Sequence, residues 1–236
     1  MNDHTQFRPF DNIGGDQLGG DLNGVSELMT RPNTSIGILI IDESGSMQQH
    51  GDAPPKAVDK AVDTLKIIAD GRTYYIGIVG FSDIMRVLQQ IKPVDKITAL
   101  QGYRANGNTR LFATVLDVLT FLLGQLVRAA DRVAPDLSIA VGVFSDGADN
   151  LSQSAQGLLH ETVASVRPRG WALQTFGIGI DSKRLAQLLG FDPDIAITVK
   201  PNAEGLDSAT TSFVNTMSTI WRKPDPSSGS DIRSDP

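Results

Sequence analysis

A carboxylate and two hydroxyl side chains stand two residues apart at the end of an apolar segment of this 236-residue chain. Asp42, Ser44 and Ser46 directly follow residues 35–41, whose continuous apolar character predicts a buried strand. In an extended or turning segment, side chains at i, i+2 and i+4 point to the same side, so their oxygens can face one point. Oxygen ligands of this kind suit Mg²⁺, Mn²⁺ or Ca²⁺ rather than zinc. The segment therefore predicts a divalent metal site at the carboxyl end of a strand.

Two later segments bring further oxygen atoms to the same end of the predicted fold. Gly107, Asn108 and Thr109 stand just before a helical pattern, where the glycine permits a sharp turn and Thr109 supplies a hydroxyl. Asp146 follows residues 137–144, another apolar run that predicts a buried strand. Ligand sites in open α/β sheets lie beyond the carboxyl ends of the strands. We therefore expect these side chains to converge with the first segment.

The elements that must position these side chains alternate between strand and helix. Apolar runs predict strands over 35–41, 74–81, 86–91, 137–144, 171–180 and 195–199. Apolar residues three and four apart predict helices around 58–68, 111–126, 154–166, 181–190 and 213–221. The pattern is typical of an α/β fold with a doubly wound, mostly parallel sheet and helices on both faces. The segment 86–91 is close enough to its predecessor to form an antiparallel hairpin at the sheet edge.

The predicted elements define one domain between two less regular ends. A chain of this length is expected to form one core that buries roughly 70–75% of its unfolded surface. Residues 1–34 are rich in Gly, Asp and Asn and predict an irregular N-terminal arm, although scattered apolar residues such as Leu18 can dock on the domain. Residues 35–222 form the predicted domain, and the polar residues 223–236 predict a disordered C-terminal tail.

Composition restricts the function classes. The net charge is −6 with 20% charged residues, which offers no broad basic surface for nucleic acid. The absence of cysteine excludes disulfides, thiolate metal sites and cysteine nucleophiles. The N-terminus lacks the apolar core of a signal peptide, and we identify no apolar run near 20 residues. These observations predict a cytoplasmic protein that binds neither nucleic acid nor membrane.

The order of these motifs resembles that of a von Willebrand factor type A domain with a complete metal-ion-dependent adhesion site. The resemblance covers about residues 35–222 and rests on seven residues in family order: Asp42, Ser44 and Ser46, then Gly107 and Thr109, then Asp146 and Gly147. It implies that Ser44 and Ser46 bind the metal directly. It also implies that Asp42, Thr109 and Asp146 bind directly or through water, depending on the liganded state.

The resemblance implies a function in binding other proteins. Only two carboxylates face the cation and its other ligands are neutral, so the cation can still accept an Asp or Glu carboxylate from a partner. The predicted function is thus a metal-dependent interaction module, with Mg²⁺, or alternatively Mn²⁺ or Ca²⁺, as cofactor. Without secretion signals, the chain is similar to small bacterial intracellular members that serve beside AAA+ ATPases or in stress-response systems with kinase and phosphatase partners. Self-association through the metal site is a further expectation.

An enzymatic function is the main alternative class. A strand ending in Asp42 beside Mg²⁺ is also found in haloacid-dehalogenase-like phosphatases, but that chemistry needs a second acid where this chain has Ser44. A dinucleotide site is disfavoured because residues 176–181 lack the third glycine of the fingerprint. We therefore predict that the chain is not an enzyme.

Several residues near the motifs have less specific roles in this interpretation. Glu43 is expected to face solvent or the rim of the site, since it points away from Asp42. Asp83 is predicted to be a turn residue, and Asp149 a helix-entry or loop residue. Met47 is expected to pack under the metal loop. His50 follows that loop closely enough to reach its rim.

Overall fold

Six strands form one sheet in this computed structural model, which describes residues 18–19, 23–68 and 70–219. They are β1 (Thr34–Asp42), β2 (Thr73–Phe81), β3 (Met85–Pro93), β4 (Ser138–Ser145), β5 (Ala172–Ile178) and β6 (Ile197–Val199). Their order across the sheet is β3-β2-β1-β4-β5-β6. Among the strands in these ranges, β3 alone is antiparallel, and it lies at the edge. The predicted sheet is confirmed.

Helices cover both faces of the sheet. They are α1 (Asn23–Leu28), α2 (Ala53–Ile67), α3 (Leu111–Ala129), α4 (Gln156–Val166), α5 (Ser182–Leu189) and α6 (Ala203–Thr219). The buried side chains of α2 and α6 belong to the core on one face, and those of α1, α3, α4 and α5 belong to the core on the other. The predicted cap of α5 is confirmed, because Asp181 accepts hydrogen bonds from the backbone N–H groups of Lys183 and Arg184.

β1 occupies the centre of the sheet because it is apolar on both faces. All nine of its residues are buried. Alternate side chains point to opposite faces of a strand: Ile36, Ile38 and Ile40 enter one core, whereas Leu39 and Ile41 enter the other. A continuous apolar run is what a strand covered on both faces requires.

The register of the central strands positions the predicted site. Ile41 pairs with Phe144 of β4, and Asp42 pairs with Phe81 of β2. The chain connects β1 to neighbours on opposite sides, so the strand order reverses here and leaves a crevice beyond the carboxyl ends. The loops after β1 and β4 therefore leave the sheet side by side.

The segment before β1 is more regular than the sequence interpretation predicted. Its described part contains α1, and Leu18, Val25 and Met29 are buried in the core. The backbone N–H of Ala134 donates to the Met29 carbonyl at 2.9 Å. The prediction of an irregular arm is wrong for residues 23–28, because a six-residue helix is too short to show clear periodicity, whereas the expected docking of Leu18 on the domain is confirmed. The rest of that arm, like the predicted tail at 223–236, lies outside the described residues.

One described helix is long and apolar enough to cross a membrane by length and composition alone. It comprises α3 and the following turn, Leu111–Arg132, and 56% of its most apolar window is buried within the protein. The sequence pattern did not predict an apolar run of this length, because Asp117 and Arg128 interrupt the segment. The helix supplies Leu111, Val115 and other apolar side chains to the core, a position typical of a soluble core helix.

Candidate metal centre

Four of the five predicted ligands form a continuous chain of hydrogen bonds. Asp42 Oδ1 accepts from the Ser44 backbone N–H at 2.7 Å, and the Ser44 and Ser46 hydroxyl oxygens are 3.0 Å apart. Ser46 Oγ donates to Asp146 Oδ1 at 2.7 Å. The structure therefore brings the ends of β1 and β4 together as expected, while the role of these side chains as metal ligands stays a prediction.

The turn after β1 orients the two serines. The chain enters a 3₁₀ helix, Gly45–His50, directly after Ser44. Met47 is fully buried beneath this helix, which confirms its expected packing and fixes the turn on the core. Ser44 is buried and Ser46 is exposed, so the site opens to the surface along this edge.

The loop before α3 carries Thr109 to the same place. The Gly45 N–H donates to the Gly107 carbonyl at 2.9 Å, which joins this loop to the serine turn. Gly107 has a φ of +88°, and a Cβ there would lie 2.4 Å from Asp83 Oδ2, so a glycine is required. The Thr109 hydroxyl lies 4.0 Å from the position of a Cβ at Gly147, next to Asp146. All five predicted residues thus lie on adjoining loops.

Side chains of the loop after β4 form hydrogen bonds with the Thr109 loop and with the start of α3. Asn150 Oδ1 accepts from the Thr109 N–H at 2.9 Å. Asp149 Oδ2 accepts from the Phe112 N–H at 2.8 Å, and Ser152 Oγ accepts from the Ala113 N–H at 3.0 Å. These side chains satisfy backbone donors in the first turn of the helix. Asp149 therefore has the predicted helix-entry role. Asp83 is a turn residue, as predicted, and its carboxylate accepts hydrogen bonds from Asn108.

Asp42 is a buried anion in a polar cage. Its side chain is fully buried, Oδ2 accepts from Ser145 Oγ at 2.5 Å, and its backbone carbonyl accepts from the Tyr103 hydroxyl at 3.0 Å. Burial raises the pKa of Asp42 to about 6, hydrogen bonds from Ser145 and Ser44 oppose that rise, and the charge of Asp146 adds to it. Ser145 and Tyr103 were missed by the sequence interpretation. Only the position of Ser145 at a strand end, beside Asp146, could have indicated it.

The prediction that Glu43 faces solvent or the rim is wrong. Its side chain is 1% exposed, and its carboxylate accepts from Arg86 Nη2 at 2.5 Å and from Arg86 Nε at 3.1 Å. The Arg104 backbone N–H donates to the same carboxylate at 2.7 Å. Glu43 does point away from Asp42, but the β2–β3 hairpin covers that side of the chain. Gly80 of this hairpin leaves room for the Glu43 carboxylate.

Glu43→Ala is expected to lower the free energy of unfolding by about 2 kcal/mol, because it leaves the Arg86 guanidinium and the Arg104 N–H without their acceptor. The value is below that of a fully buried pair because the Arg86 side chain is 29% exposed. Urea denaturation measures the change. Asp95→Ala is the matched control, since Asp95 pairs with Lys96 at the surface and its loss should change stability by less than about 0.5 kcal/mol. Equal effects of the two substitutions would contradict this role of Glu43.

The donor set fits a hard divalent cation. It offers two carboxylates and three hydroxyls, and the described residues contain no group of three or more His, Cys, Asp or Glu side chains able to hold a metal. Among the described residues, no cationic side chain forms an ion pair with the buried Asp42 carboxylate, and a bound cation would compensate its charge. His50 lies beside the site, as expected, with Nε2 at 3.7 Å from Asp146 Oδ2.

Comparison with known proteins finds similarity in structure. No protein-family model and no curated protein matches the sequence. A von Willebrand factor type A protein from Catenulispora acidiphila is 18% identical with a TM-score of 0.56, over 80% of this chain and 43% of that one. Proximal thread matrix protein 1 from the mussel byssus, with a zinc-occupied MIDAS motif, is 16% identical with a TM-score of 0.55, over 77% and 47%. The SpRpn10 VWA domain is 14% identical with a TM-score of 0.52, over 74% and 93%.

The chain spans less than half the length of the first two of these structures. At these identities the similarity concerns the fold. It agrees with the sheet order, the antiparallel edge strand and the two helical layers described above.

Proposed function

Because this chain has the fold of von Willebrand factor type A domains, we propose that its metal centre binds other proteins through a shared divalent cation. The observation that carries the proposal is the hydrogen-bonded chain from Asp42 through Ser44 and Ser46 to Asp146. Ser44 and Ser46 would hold the cation directly, and the two aspartates and Thr109 would do so directly or through water. When bound, the cation supplies positive charge for an Asp or Glu carboxylate of the partner.

The charge balance of the site favours a shared cation over a purely structural one. Asp42 and Asp146 are the carboxylates in the donor set, and the remaining donors are neutral hydroxyls. A hard divalent cation accepts six or more oxygen ligands, so the hydroxyls leave its charge available to a further anion. A site with three or four acidic side chains would neutralise that charge internally.

The surface beside the site has room for a partner. A cavity of about 400 Å³ adjoins the loop that follows Asp146. Its lining is mostly apolar and comprises Gly147, Ala148, Ile180, Asp181, Arg184, Leu185 and Leu188. Side chains next to the partner's carboxylate can therefore contact apolar surface, and these contacts would add specificity to the metal bond.

Mg²⁺ is the cofactor we propose, with Mn²⁺ and Ca²⁺ as alternatives, because the predicted donors are oxygen atoms. The zinc-occupied site of the mussel protein supports binding of a divalent metal by this type of site. Metal binding is expected to stabilise the folded protein by about 2.7 kcal/mol at a free metal concentration 100 times the Kd, because the unfolded chain cannot hold the site. Chemical denaturation with Mg²⁺, Mn²⁺ or chelator measures this effect. Identical unfolding curves in all three solutions would contradict the metal site.

We propose an interaction module rather than an enzyme, since Ser44 occupies the position where a phosphatase of this type needs its second acid. The hydroxyl contact between Ser44 and Ser46 supports this proposal, because a serine hydroxyl is not an acid strong enough to protonate the leaving group. Turnover of phosphate esters with Mg²⁺ that is lost in Asp42→Ala would overturn this part of the proposal.

The proposed setting is the bacterial cytoplasm, in a stress-response or AAA+ ATPase-associated complex with possible kinase or phosphatase partners and without nucleic acid or membrane. The absence of cysteine and the acidic net charge of −6 support it. Self-association through the site is the alternative use of the same chemistry. Light scattering with Mg²⁺ and with chelator distinguishes self-association from binding of a different protein. A molar mass that doubles or grows only with Mg²⁺ supports self-association, and an unchanged mass supports a different partner.

A further inference from the structure

A buried histidine nitrogen without a hydrogen-bond partner faces the metal centre. The His50 side chain is 3% exposed, and its Nε2 makes no hydrogen bond to any described residue. This nitrogen lies 3.7 Å from Oδ2 of Asp146, whose side chain is 4% exposed. The other oxygen of that carboxylate, Oδ1, accepts from Ser46. His50 Nε2 and Asp146 Oδ2 thus face each other without a hydrogen bond.

The local backbone holds the imidazole in this position. His50 is the last residue of the 3₁₀ helix that begins at Gly45, and Gly51 has a φ of +52°. In a 3₁₀ helix, side chains three residues apart lie on the same side. Met47 is fully buried, so His50 is directed inward by the same turn that orients the serines.

The spacing of these two atoms suits ligands of one metal ion. Metal–nitrogen and metal–oxygen bonds of about 2.0–2.2 Å place adjacent ligands roughly 3–3.5 Å apart. The observed distance between His50 Nε2 and Asp146 Oδ2 is 3.7 Å, and a small side-chain rotation would bring it into that range. An unsatisfied buried polar atom is costly, and a metal would supply the partner that Nε2 lacks. With its proton on Nδ1, the imidazole presents a lone pair at Nε2.

We propose that His50 is a nitrogen ligand that extends the oxygen site, so that the site binds Co²⁺ and Zn²⁺ in addition to Mg²⁺, and binds them more tightly than its oxygen ligands alone would. The inference rests on the proposed metal centre and deepens it. Imidazole suits zinc and the later transition metals, whereas carboxylate and hydroxyl oxygens suit Mg²⁺ and Ca²⁺. His50 thus adds affinity for Co²⁺ and Zn²⁺ that the aspartate, serine and threonine oxygens do not supply.

Titration calorimetry of the full chain with CoCl₂, ZnCl₂ and MgCl₂ separately tests this contribution of His50. His50→Gln keeps a polar side chain of similar length and is expected to weaken Co²⁺ and Zn²⁺ binding by about 10-fold or more, while Mg²⁺ binding changes by less than about 2-fold. His160→Gln is the matched control, because that histidine contacts the Leu188 carbonyl away from the site. It should leave all three affinities unchanged.

A second measurement needs no variant. Pulsed electron paramagnetic resonance of the wild-type chain loaded with Mn²⁺ is expected to show hyperfine coupling to ¹⁴N, and His50→Gln should lose it. Absence of that coupling in the wild type, or equal weakening of Mg²⁺ and Co²⁺ in His50→Gln, would overturn His50 as a ligand. If wild-type protein binds Mg²⁺ and Co²⁺ and His50→Gln changes neither, this inference alone fails. If wild-type protein binds none of these metals, the proposed metal centre fails as well.

Discussion

Ser44→Ala and Asp146→Ala are each expected to weaken metal-dependent partner binding by at least about 100-fold while the protein remains folded. Ser44 lies at the centre of the hydrogen-bonded chain, and Asp146 closes it from β4 through Ser46. Loss of either removes an oxygen donor that the other side chains cannot replace, because Asp42 and Ser46 are already held by their own hydrogen bonds. Neither side chain fills the apolar core, so the free energy of unfolding in chelator should change by no more than about 1 kcal/mol.

Titration calorimetry with Mg²⁺ measures the loss of metal binding, and urea denaturation in chelator measures the change in stability. Ser165→Ala is a matched control for the serine variant, since among the described residues the Ser165 hydroxyl donates only to the local Thr162 carbonyl, on the exposed face of α4. It should retain both metal binding and partner binding. Partner binding by both site variants at wild-type affinity would contradict the proposed role of the site.

Asp42→Asn is expected to be more stable than the wild type without metal and less stable than the wild type with metal. The pKa of Asp42 in the folded protein is raised from 3.8 to about 6. This shift corresponds to a change of about 3 kcal/mol in the free energy of unfolding between low and high pH. The sign follows from linkage: with a raised folded pKa, the contribution to stability is present below about pH 4 and is lost as the pH rises through 6. In chelator at pH 8, the neutral asparagine should therefore be more stable than the wild type by up to about 3 kcal/mol.

Saturating Mg²⁺ should stabilise the wild type strongly and Asp42→Asn little, because the variant lacks the buried charge that the cation compensates. Urea denaturation at pH 5 and pH 8, with chelator and with Mg²⁺, measures both effects. Asp63→Asn is the control, since Asp63 is exposed and pairs only with Lys66 among the described residues. A variant less stable than the wild type at pH 8 in chelator would contradict the electrostatic argument for Asp42.

The fold was largely predictable because its strands are apolar on both faces. The run that forms β1 needs cover on both sides, which places it at the centre of a parallel sheet. Local chemistry also fixed details such as the Asp181 cap of α5. The helix α1 was not predictable, because six residues carry too little periodicity and its stability comes from packing of Val25 and Met29 in the core.

The convergence of the proposed ligands was predictable where they lie at strand ends, since Asp42 is the last residue of β1 and Asp146 directly follows β4. Its surroundings depend on tertiary contacts between distant segments. Glu43 was placed on the correct side of its strand, but the hairpin that buries it against Arg86 has no signal near position 43. The Ser145 bond to Asp42 likewise requires the parallel register of β1 and β4. Sequence spacing indicates which side chains can converge, and packing decides which become buried.

Affinity capture from native lysate tests the central claim most directly. Wild-type and Ser44→Ala protein are immobilised, each with Mn²⁺ and with chelator, and captured proteins are quantified by mass spectrometry. We expect proteins that bind the wild type with Mn²⁺ and are lost both with chelator and with Ser44→Ala. Replacement of one Asp or Glu of the partner by Ala is expected to abolish its capture. Capture of the same proteins in all four conditions would contradict a metal-bridged interaction.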